Sequence, residues 1–300
     1  MKWLELFSGI GGAAAALPPG AVVRAVDHDE HAHQVYVANH GDHAIRRNLA
    51  SVRPELLAGA DAWWMSPPCQ PYTVRGKGRD LDDPRAASLV HLLDLLEQRR
   101  VEAPRMFAME NVPGFSGSRA HGRVRAVLRG LGYQIRELEM CPTALGVPMV
   151  RRRFYLLADR EGAVPEPAKG HLRRPLGELV RDDIDPSTHP ELFASDELLQ
   201  RYGRNLPLVD PTDPEAVTHC FTGAYGRSPV YSGSWLVTPD GPRLLLPGEI
   251  ARILGFADDF RLPVKKVAKA YKLVGNALSV DVVRALLSPW YDEGMVRRMA

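Results

Sequence analysis

Short apolar segments alternate with amphipathic or alanine-rich segments through the first half of the chain. Apolar runs of this kind, bounded by Gly, Pro or Asp, are typical of buried strands. They predict strands at residues 3–7, 21–26, 63–65, 105–109, 133–138 and 154–158. Helices are predicted at 31–39 and 86–99, and an alanine-rich helix is predicted after residue 12. This alternation predicts an α/β fold with a mainly parallel sheet and helices on both faces.

The pattern changes near residue 160. The segment from 160 to 240 contains many Pro, Gly, Asp and Ser residues and no long periodic run. Helical signals return at 247–254, with Pro247 near a helix start and Gly255 after its end, and again at 278–287. We therefore predict one domain from residues 1–160 and 242–300, and a small second region from residues 161–241.

Composition excludes several classes of protein. The chain has 300 residues, 45% hydrophobic and 25% charged, as expected of a soluble globular protein, and its net charge of +2 barely indicates a nucleic-acid partner. Its cysteines, Cys69, Cys141 and Cys220, form no CxxC pair, so neither a zinc site nor a disulfide framework is predicted. Each apolar run is interrupted before it reaches membrane-spanning length. We expect a cytoplasmic monomer without a metal or a membrane segment.

A glycine-rich turn, Ser8-Gly9-Ile10-Gly11-Gly12, joins the first strand to the alanine-rich helix. Glycines let a ligand approach the backbone, and a helix start offers unpaired N–H donors. Asp27 ends the next strand, where a carboxylate can bind the two hydroxyls of a ribose. The pattern indicates a nucleoside cofactor and fits NAD and S-adenosylmethionine equally. The alternative is an ordinary tight turn with a solvated Asp27.

A thiol and a carboxyl group follow two other predicted strands. Cys69 lies in Pro67-Pro68-Cys69-Gln70 after the strand at 63–65, and Glu110 follows the strand at 105–109. Because parallel strands end at one edge of a sheet, both side chains are expected on the same side, where such folds bind ligands. A thiol and a carboxyl group in one cleft suit attack on an activated heterocycle. The alternatives are a buried apolar Cys69 and a Glu110 that caps a helix or forms an ion pair.

Two further segments are ambiguous when taken alone. Arg151-Arg152-Arg153 precedes a predicted strand, and extended alternation would place Arg151 and Arg153 on one face. The alternative is a solvated basic edge. Gly275-Asn276-Ala277 would by itself be only the start of a helix.

In order along the chain, these segments closely resemble the motifs of the cytosine-5 methyltransferases. The matching segments are Phe7-Ser8-Gly9-Ile10-Gly11-Gly12, Pro67-Pro68-Cys69-Gln70, Glu110-Asn111-Val112, Arg151 with Arg153, and Gly275-Asn276. The resemblance implies a Rossmann-like class I methyltransferase sheet with a small target-recognition domain. It also implies S-adenosylmethionine as cofactor and S-adenosylhomocysteine as product. Two positions depart from the family pattern, since Met149 stands where many members have Gln and Asn48 where many have Asp.

The resemblance also implies roles for individual residues. Cys69 would add to cytosine C6 and make C5 nucleophilic, while Glu110 would hydrogen-bond N3 and the amino group. Arg153 would hold O2, and Arg151 would align the catalytic loop. C5 would then take the methyl group of S-adenosylmethionine, and loss of the C5 proton would release Cys69.

Two sets of binding residues follow from the same resemblance. The implied cofactor-binding residues are Phe7, Ser8, Gly9, Gly11, Gly12, Asp27, His28, Asn48, Leu49, Pro67, Asn276 and Ala277. The implied nucleic-acid-binding residues are Gln70, Asn111, Cys220 and Thr222, and the basic, glycine-rich loop after Cys69 adds Arg75 and Lys77 as candidates. Residues 1–160 and 242–300 would then form the catalytic domain, and 161–241 the target-recognition region.

Three segments resemble the Dnmt2-type branch of the family, which methylates a cytosine in the tRNA anticodon loop. They are Ser66-Pro67-Pro68-Cys69-Gln70-Pro71-Tyr72-Thr73, Cys141-Pro142-Thr143-Ala144-Leu145-Gly146-Val147-Pro148 and Cys220-Phe221-Thr222. The short variable region also fits, because an anticodon loop already presents unpaired bases. We therefore expect tRNA as the substrate. A DNA cytosine-5 methyltransferase with a minimal recognition region is the main alternative, and an NAD-dependent oxidoreductase is a further one.

Overall fold

The computed structural model describes residues 1–73, 78–168 and 174–299, with side chains described as far as residue 291. The chain folds into two compact units. Unit 1 comprises Met1–Met140, Arg152–Ala168 and Val283–Ala300, and unit 2 comprises Cys141–Arg151 and Lys169–Val282. The assignment of residues 1–160 and 242–300 to catalysis, and of 161–241 to target recognition, stays a prediction. Within the described residues, no helix is both long and apolar enough to cross a membrane.

A seven-stranded sheet forms the centre of unit 1, in the order β3-β2-β1-β4-β5-β7-β6. Its strands are β1 (Trp3–Leu6), β2 (Val22–Asp27), β3 (Ala44–Arg46), β4 (Ala62–Met65), β5 (Met106–Asn111), β6 (Gln134–Met140) and β7 (Arg153–Asp159). The first five strands pair in parallel, and β7 runs antiparallel to both of its neighbours. The predicted α/β fold with a mainly parallel sheet is therefore confirmed.

Helices cover the sheet of unit 1, and the bounds of those in the first half are α1 (Gly12–Ala16), α2 (Glu30–His40), α3 (Ala87–Glu97) and α4 (Arg119–Gly130). Alternation along β4 and β5 directs Trp63 and Phe107 into one core, where Leu92 and Leu96 of α3 are also buried. The hydrophobic pattern does not predict α4, because its few buried apolar residues are interleaved with arginines. The pattern does not predict β3 either, because this strand has only three residues and none of them is fully buried.

Unit 2 contains a three-stranded sheet and short helices. The strands are β8 (Leu208–Val209), β9 (Trp235–Leu236) and β10 (Arg243–Leu244), and the helices are α5 (Asp196–Tyr202), α6 (Pro247–Ile253) and α7 (Val267–Asn276). The last helix, α8 (Val280–Met299), starts in unit 2 and continues in unit 1. The predicted helices at 247–254 and 278–287 correspond to α6 and α8. Gly275 and Asn276, interpreted above as a helix start, instead end α7.

A buried ion pair organises unit 2. Arg243 and Glu249 are 1% and 0% exposed, and their two hydrogen bonds measure 3.0 and 2.8 Å. Each carboxylate oxygen also accepts a backbone N–H, from Arg181 at 2.7 Å and from Leu246 at 2.6 Å. Burial of a charge is tolerated only when its remaining hydrogen-bonding capacity is satisfied. This carboxylate therefore joins β10, the start of α6 and the Arg181 segment.

A second buried carboxyl group, that of Glu5, lies at the base of the glycine-rich turn in unit 1. One oxygen accepts the N–H of Ala13 at 3.1 Å, and the other accepts the hydroxyl of Tyr36 at 3.1 Å. The Tyr36 hydroxyl also contacts Nε2 of His43 at 3.2 Å. Burial raises the pKa of Glu5 to about 8, while burial lowers the pKa of His40 to about 4. The network beneath the turn is therefore mostly uncharged at neutral pH.

Replacement of Glu5 by Gln tests this network. Gln can still accept from Ala13 and can donate to Tyr36, but it does not titrate. Because the folded-state pKa of Glu5 lies above the ordinary value of 4.5, its stabilising effect is complete below pH 4.5 and is lost as the pH rises through about 8. We expect the unfolding free energy of the wild type to fall relative to Glu5→Gln across this range, by at most about 1.4 kcal/mol per pH unit.

Urea denaturation of both proteins from about pH 5 to about pH 9 measures this difference. Tyr36, His40 and His43 are unchanged neighbours of the site in both proteins, so the comparison isolates the replaced carboxyl group. A difference that does not change with pH would contradict a carboxyl group that is buried in its protonated form.

Candidate active site

The order of the strands in unit 1 reverses between β1 and β4. From β1 the chain proceeds to β2 and β3 on one side, and from β4 it proceeds to β5 on the other side. Loops that leave the carboxyl ends of two such strands diverge, and ligands bind in the crevice between them. The glycine-rich turn follows β1 and the Cys69 loop follows β4, so both candidate segments flank this crevice.

The glycine-rich turn has a backbone that only small residues tolerate. Gly9 and Gly11 have φ values of 53° and 87°, and Phe7 also has a positive φ of 56°. A Cβ on Gly11 would collide with the ring of His40, so no side chain fits there. Positive φ in a residue with a Cβ is strained, and such strain is common at ligand sites. Ser8 and Gly12 are buried within this turn, which follows the carboxyl end of β1.

Asp27 fastens the turn to the end of β2. Its Oδ2 accepts the N–H of Gly9 at 2.8 Å, and its Oδ1 accepts the N–H of Asp29 at 2.9 Å. His28 is exposed beside it, with Nδ1 3.6 Å from Asp27 Oδ1. The structure thus brings Asp27 and the glycine loop together, as the nucleoside-site hypothesis requires. A glycine-rich turn beside a carboxylate at a strand end suits a nucleoside, so these residues fit the implied cofactor.

The other predicted cofactor residues fall into different surroundings. Asn48 follows β3 and caps a short turn by accepting the N–H of Ala50 at 2.9 Å. Leu49 is 3% exposed and belongs to the apolar core of unit 1. Asn276 is exposed and Ala277 is buried, and both belong to unit 2. Their contact with a cofactor stays a prediction.

Cys69 lies in a loop that β5 holds in place. The side-chain amide of Asn111, at the end of β5, donates to the carbonyl of Pro67 at 3.1 Å and is itself 1% exposed. The ring of Tyr72 packs edge-on against Phe115, with ring centroids 4.9 Å apart. Cys69 itself is partly exposed. These contacts fix the loop on both sides of the thiol.

The predicted nucleic-acid contacts of unit 1 remain predictions. Gln70 is exposed next to Cys69, whereas Asn111 is buried and its side-chain amide donates to the carbonyl of Pro67. Arg75 and Lys77 lie outside the described residues.

Glu110 and Arg153 form an ion pair at the same edge of the sheet. Arg153 Nε lies 3.1 Å from Glu110 Oε1, and both side chains are less than one-fifth exposed. The antiparallel register of β5 and β7, which pairs Asn111 with Phe154, places the end of one strand beside the start of the other. The neighbouring Arg152 is exposed and lies 3.7 Å from Glu139. The carboxyl group predicted to act with Cys69 therefore has a cation beside it.

Arg151 has a different environment from Arg153. β7 begins at Arg153, so Arg151 lies outside the strand and the predicted alternation does not apply to it. Within unit 2, its guanidinium donates to the carbonyl of Phe221 at 3.0 Å and to that of Ala277 at 2.6 Å. It also lies 3.4 Å from the sulfur of Cys220 and 3.3 Å from the carbonyl of Gly275. Arg151 thus ties together two segments that the sequence singled out separately.

The structure also reveals site residues that no sequence pattern marks. Ser232 accepts the N–H of Thr222 at 3.1 Å, and the two hydroxyls lie 2.8 Å apart. Glu5, Tyr36 and His43 support the glycine-rich turn from within the fold. Ser232 and His43 lie in unremarkable segments, so only the folded chain identifies them. In the part of the chain that the structure describes, no group of three or more His, Cys, Asp or Glu residues could hold a metal ion.

Comparisons with known proteins identify the family to which the chain belongs. The model of the C-5 cytosine-specific DNA methylase family matches residues 1–190 and 198–290. The tRNA (cytosine(38)-C(5))-methyltransferase of Schizosaccharomyces pombe is 29% identical, over 96% of each chain. The type II methyltransferase M.NgoBI of Neisseria gonorrhoeae is also 29% identical, over 95% of this chain and 91% of the relative.

Solved structures give the same answer for the fold. The crystal structure of the S. pombe Dnmt2 methyltransferase superposes with a TM-score of 0.82 at 27% identity, over 97% of this chain and 99% of that chain. The Rossmann-like methyltransferase fold that the motifs implied is therefore confirmed. With the family match spanning most of its length, the chain belongs to the C-5 cytosine-specific DNA methylase family.

Proposed function

We propose that this protein transfers a methyl group from S-adenosylmethionine to C5 of a cytosine in the anticodon loop of tRNA. The observation that carries the chemistry is the meeting of the Cys69 loop and the Glu110–Arg153 pair at one edge of the sheet. The substrate assignment is supported by the S. pombe relative, named as a tRNA methyltransferase, and by the Cys220-Phe221-Thr222 segment.

Cys69 acts as the nucleophile in this proposal. Its sulfur bonds to C6 of the base, the C5–C6 double bond opens, and electron density moves to C5 and toward N3 and O2. Glu110 binds N3 and the amino group, and Arg153 binds O2, so both stabilise the charge that develops on the ring. After methylation, loss of the C5 proton restores the double bond and expels the Cys69 thiolate.

The glycine-rich turn and Asp27 would hold the cofactor. The turn brings backbone close to the ligand, and Asp27 suits the ribose hydroxyls. When bound, S-adenosylmethionine supplies an electrophilic methyl group and leaves as S-adenosylhomocysteine. Arg151 acts as a positioning residue, because it holds the Phe221 and Ala277 backbones in unit 2.

The reactive base must leave any stack before a thiol can reach C6. In duplex DNA this costs a few kcal/mol, whereas an anticodon loop already presents unstacked bases. A second candidate is DNA cytosine-5 methylation, because the family model that matches this chain is described as a C-5 cytosine-specific DNA methylase. The chemistry is the same for both substrates, so the choice depends on substrate recognition.

Methylation of tRNA against duplex DNA tests the proposal. Purified protein with radiolabelled S-adenosylmethionine should label unmodified tRNA transcripts in the anticodon loop and leave plasmid DNA unlabelled. Cys69→Ser, which keeps the size of the side chain and weakens the nucleophile, should abolish labelling of the tRNA. Incorporation into DNA alone would overturn the tRNA assignment and favour the second candidate.

Two conservative variants test the pair beside Cys69. Glu110→Gln should lower kcat by about 10²- to 10⁴-fold, because the amide cannot exchange a proton with the base. Arg153→Lys should also lower kcat, since it keeps the charge but loses the planar donor geometry. Glu139→Gln and Arg152→Lys change the neighbouring exposed pair and serve as matched controls. Equal loss in test and control variants would argue against a role for Glu110 and Arg153 at the base.

A further inference from the structure

Unit 2 carries a pair of tyrosines, of which Tyr202 is half-buried and Tyr231 is exposed. Tyr231 is 67% exposed, more than any other large apolar side chain among the described residues. Its ring meets that of Tyr202 edge to face, with centroids 6.4 Å apart and an interplanar angle of 79°. A hydrogen bond with the Tyr202 hydroxyl raises the pKa of Tyr231, so this phenol stays uncharged at neutral pH. The pair therefore offers a neutral aromatic surface to the solvent.

Positive charge accompanies these rings. The guanidinium carbon of Arg201 lies 5.1 Å from the ring centroid of Tyr202, which is a cation–π distance. Arg201 also acts electrostatically on Tyr231. Two more exposed arginines, Arg204 and Arg227, belong to the segments that carry the two tyrosines. We name Tyr202, Tyr231 and Arg201 the tyrosine platform.

The platform is anchored to a segment already proposed to contact the target. Ser232, directly after Tyr231, bonds to the backbone and hydroxyl of Thr222 at 3.1 and 2.8 Å. The next residue, Gly233, donates its N–H to the carbonyl of Cys220 at 3.1 Å. Gly233 has a φ of 73° and packs so closely on Phe221 that a Cβ would collide with that ring. Tyr231 is therefore held beside the Cys220-Phe221-Thr222 segment.

We propose that the tyrosine platform binds an unpaired base of the RNA substrate by stacking, with Arg201 contacting an adjacent phosphate. This inference rests on the proposed function and identifies a surface, away from the catalytic residues, that binds the anticodon loop. Aromatic rings stack on any unstacked base, and arginines supply the charge that a backbone requires. A paired duplex hides the faces of its bases, so the platform favours the single-stranded loop of tRNA over DNA. Tyrosines also occur at protein interfaces. The neighbouring arginines favour RNA as the partner, because their positive charge complements the phosphate backbone.

The test compares Tyr231→Ala with Tyr231→Phe. Stacking of one base on an aromatic ring corresponds to roughly a 5- to 100-fold change in affinity. Tyr231→Ala should raise KM for tRNA by this factor while leaving kcat and KM for S-adenosylmethionine near the wild-type values. Tyr231→Phe keeps the ring and should restore the low KM. Val267→Ala, at a 59% exposed position of unit 2, is the control for loss of an exposed apolar side chain.

Equilibrium binding separates failure of this inference from failure of the proposed function. Fluorescence anisotropy with an unstructured RNA oligonucleotide reports on the platform whether or not the wild type methylates tRNA. Weaker binding by Tyr231→Ala, with retention by Tyr231→Phe, supports the platform. Unchanged binding by Tyr231→Ala overturns it, as does equal weakening by both variants, which would assign the effect to the hydroxyl. Altered self-association without altered RNA binding would identify a protein contact and would also overturn it.

Discussion

The hydrogen bond from the Asn111 amide to the carbonyl of Pro67 holds the loop that carries Cys69. It joins the end of β5 to the loop after β4 and is buried, so water does not compete for it. The same strand end carries Glu110 against Arg153 at 3.1 Å. β5 is buried along its whole length, and its consecutive residues Glu110 and Asn111 form the ion pair and the hydrogen bond to the Cys69 loop. The chemistry proposed for Cys69 depends on this rigidity, because a nucleophile must be held close to the reacting carbon.

Much of unit 1 could be predicted from the sequence, because buried strands and the glycine-rich turn leave strong local patterns. The meeting of Cys69 and Glu110 at one edge followed from the rule that parallel strands end together. The partner of Glu110 was harder to predict from the sequence. Strand alternation places Arg151 and Arg153 on the same face, whereas β7 begins only at Arg153. β3 and α4 were missed because a three-residue strand and an arginine-rich helix have weak hydrophobic patterns.

Apart from α6, little of unit 2 could be predicted, because long-range polar contacts determine much of its structure. Arg243 and Glu249 are six residues apart, but their buried network also requires the backbone of Arg181, 62 residues from Arg243. Tyr202 and Tyr231 likewise meet only after folding. Neither contact has a periodic signature. Cys69, Glu110 and Arg153, which are proposed to carry the chemistry, lie in unit 1, so we expect the difference between a tRNA and a DNA substrate to arise in unit 2.

The covalent role of Cys69 can be measured directly with an anticodon stem-loop RNA that contains 5-fluorocytosine. Fluorine replaces the proton that C5 must lose, so the bond between Cys69 and C6 cannot break after methylation. With S-adenosylmethionine present, we expect a complex stable to denaturation, and peptide mass spectrometry should locate the RNA on Cys69. Cys69→Ser should form no such complex. Absence of a complex with wild-type protein, or attachment to Cys141 or Cys220, would contradict Cys69 as the nucleophile.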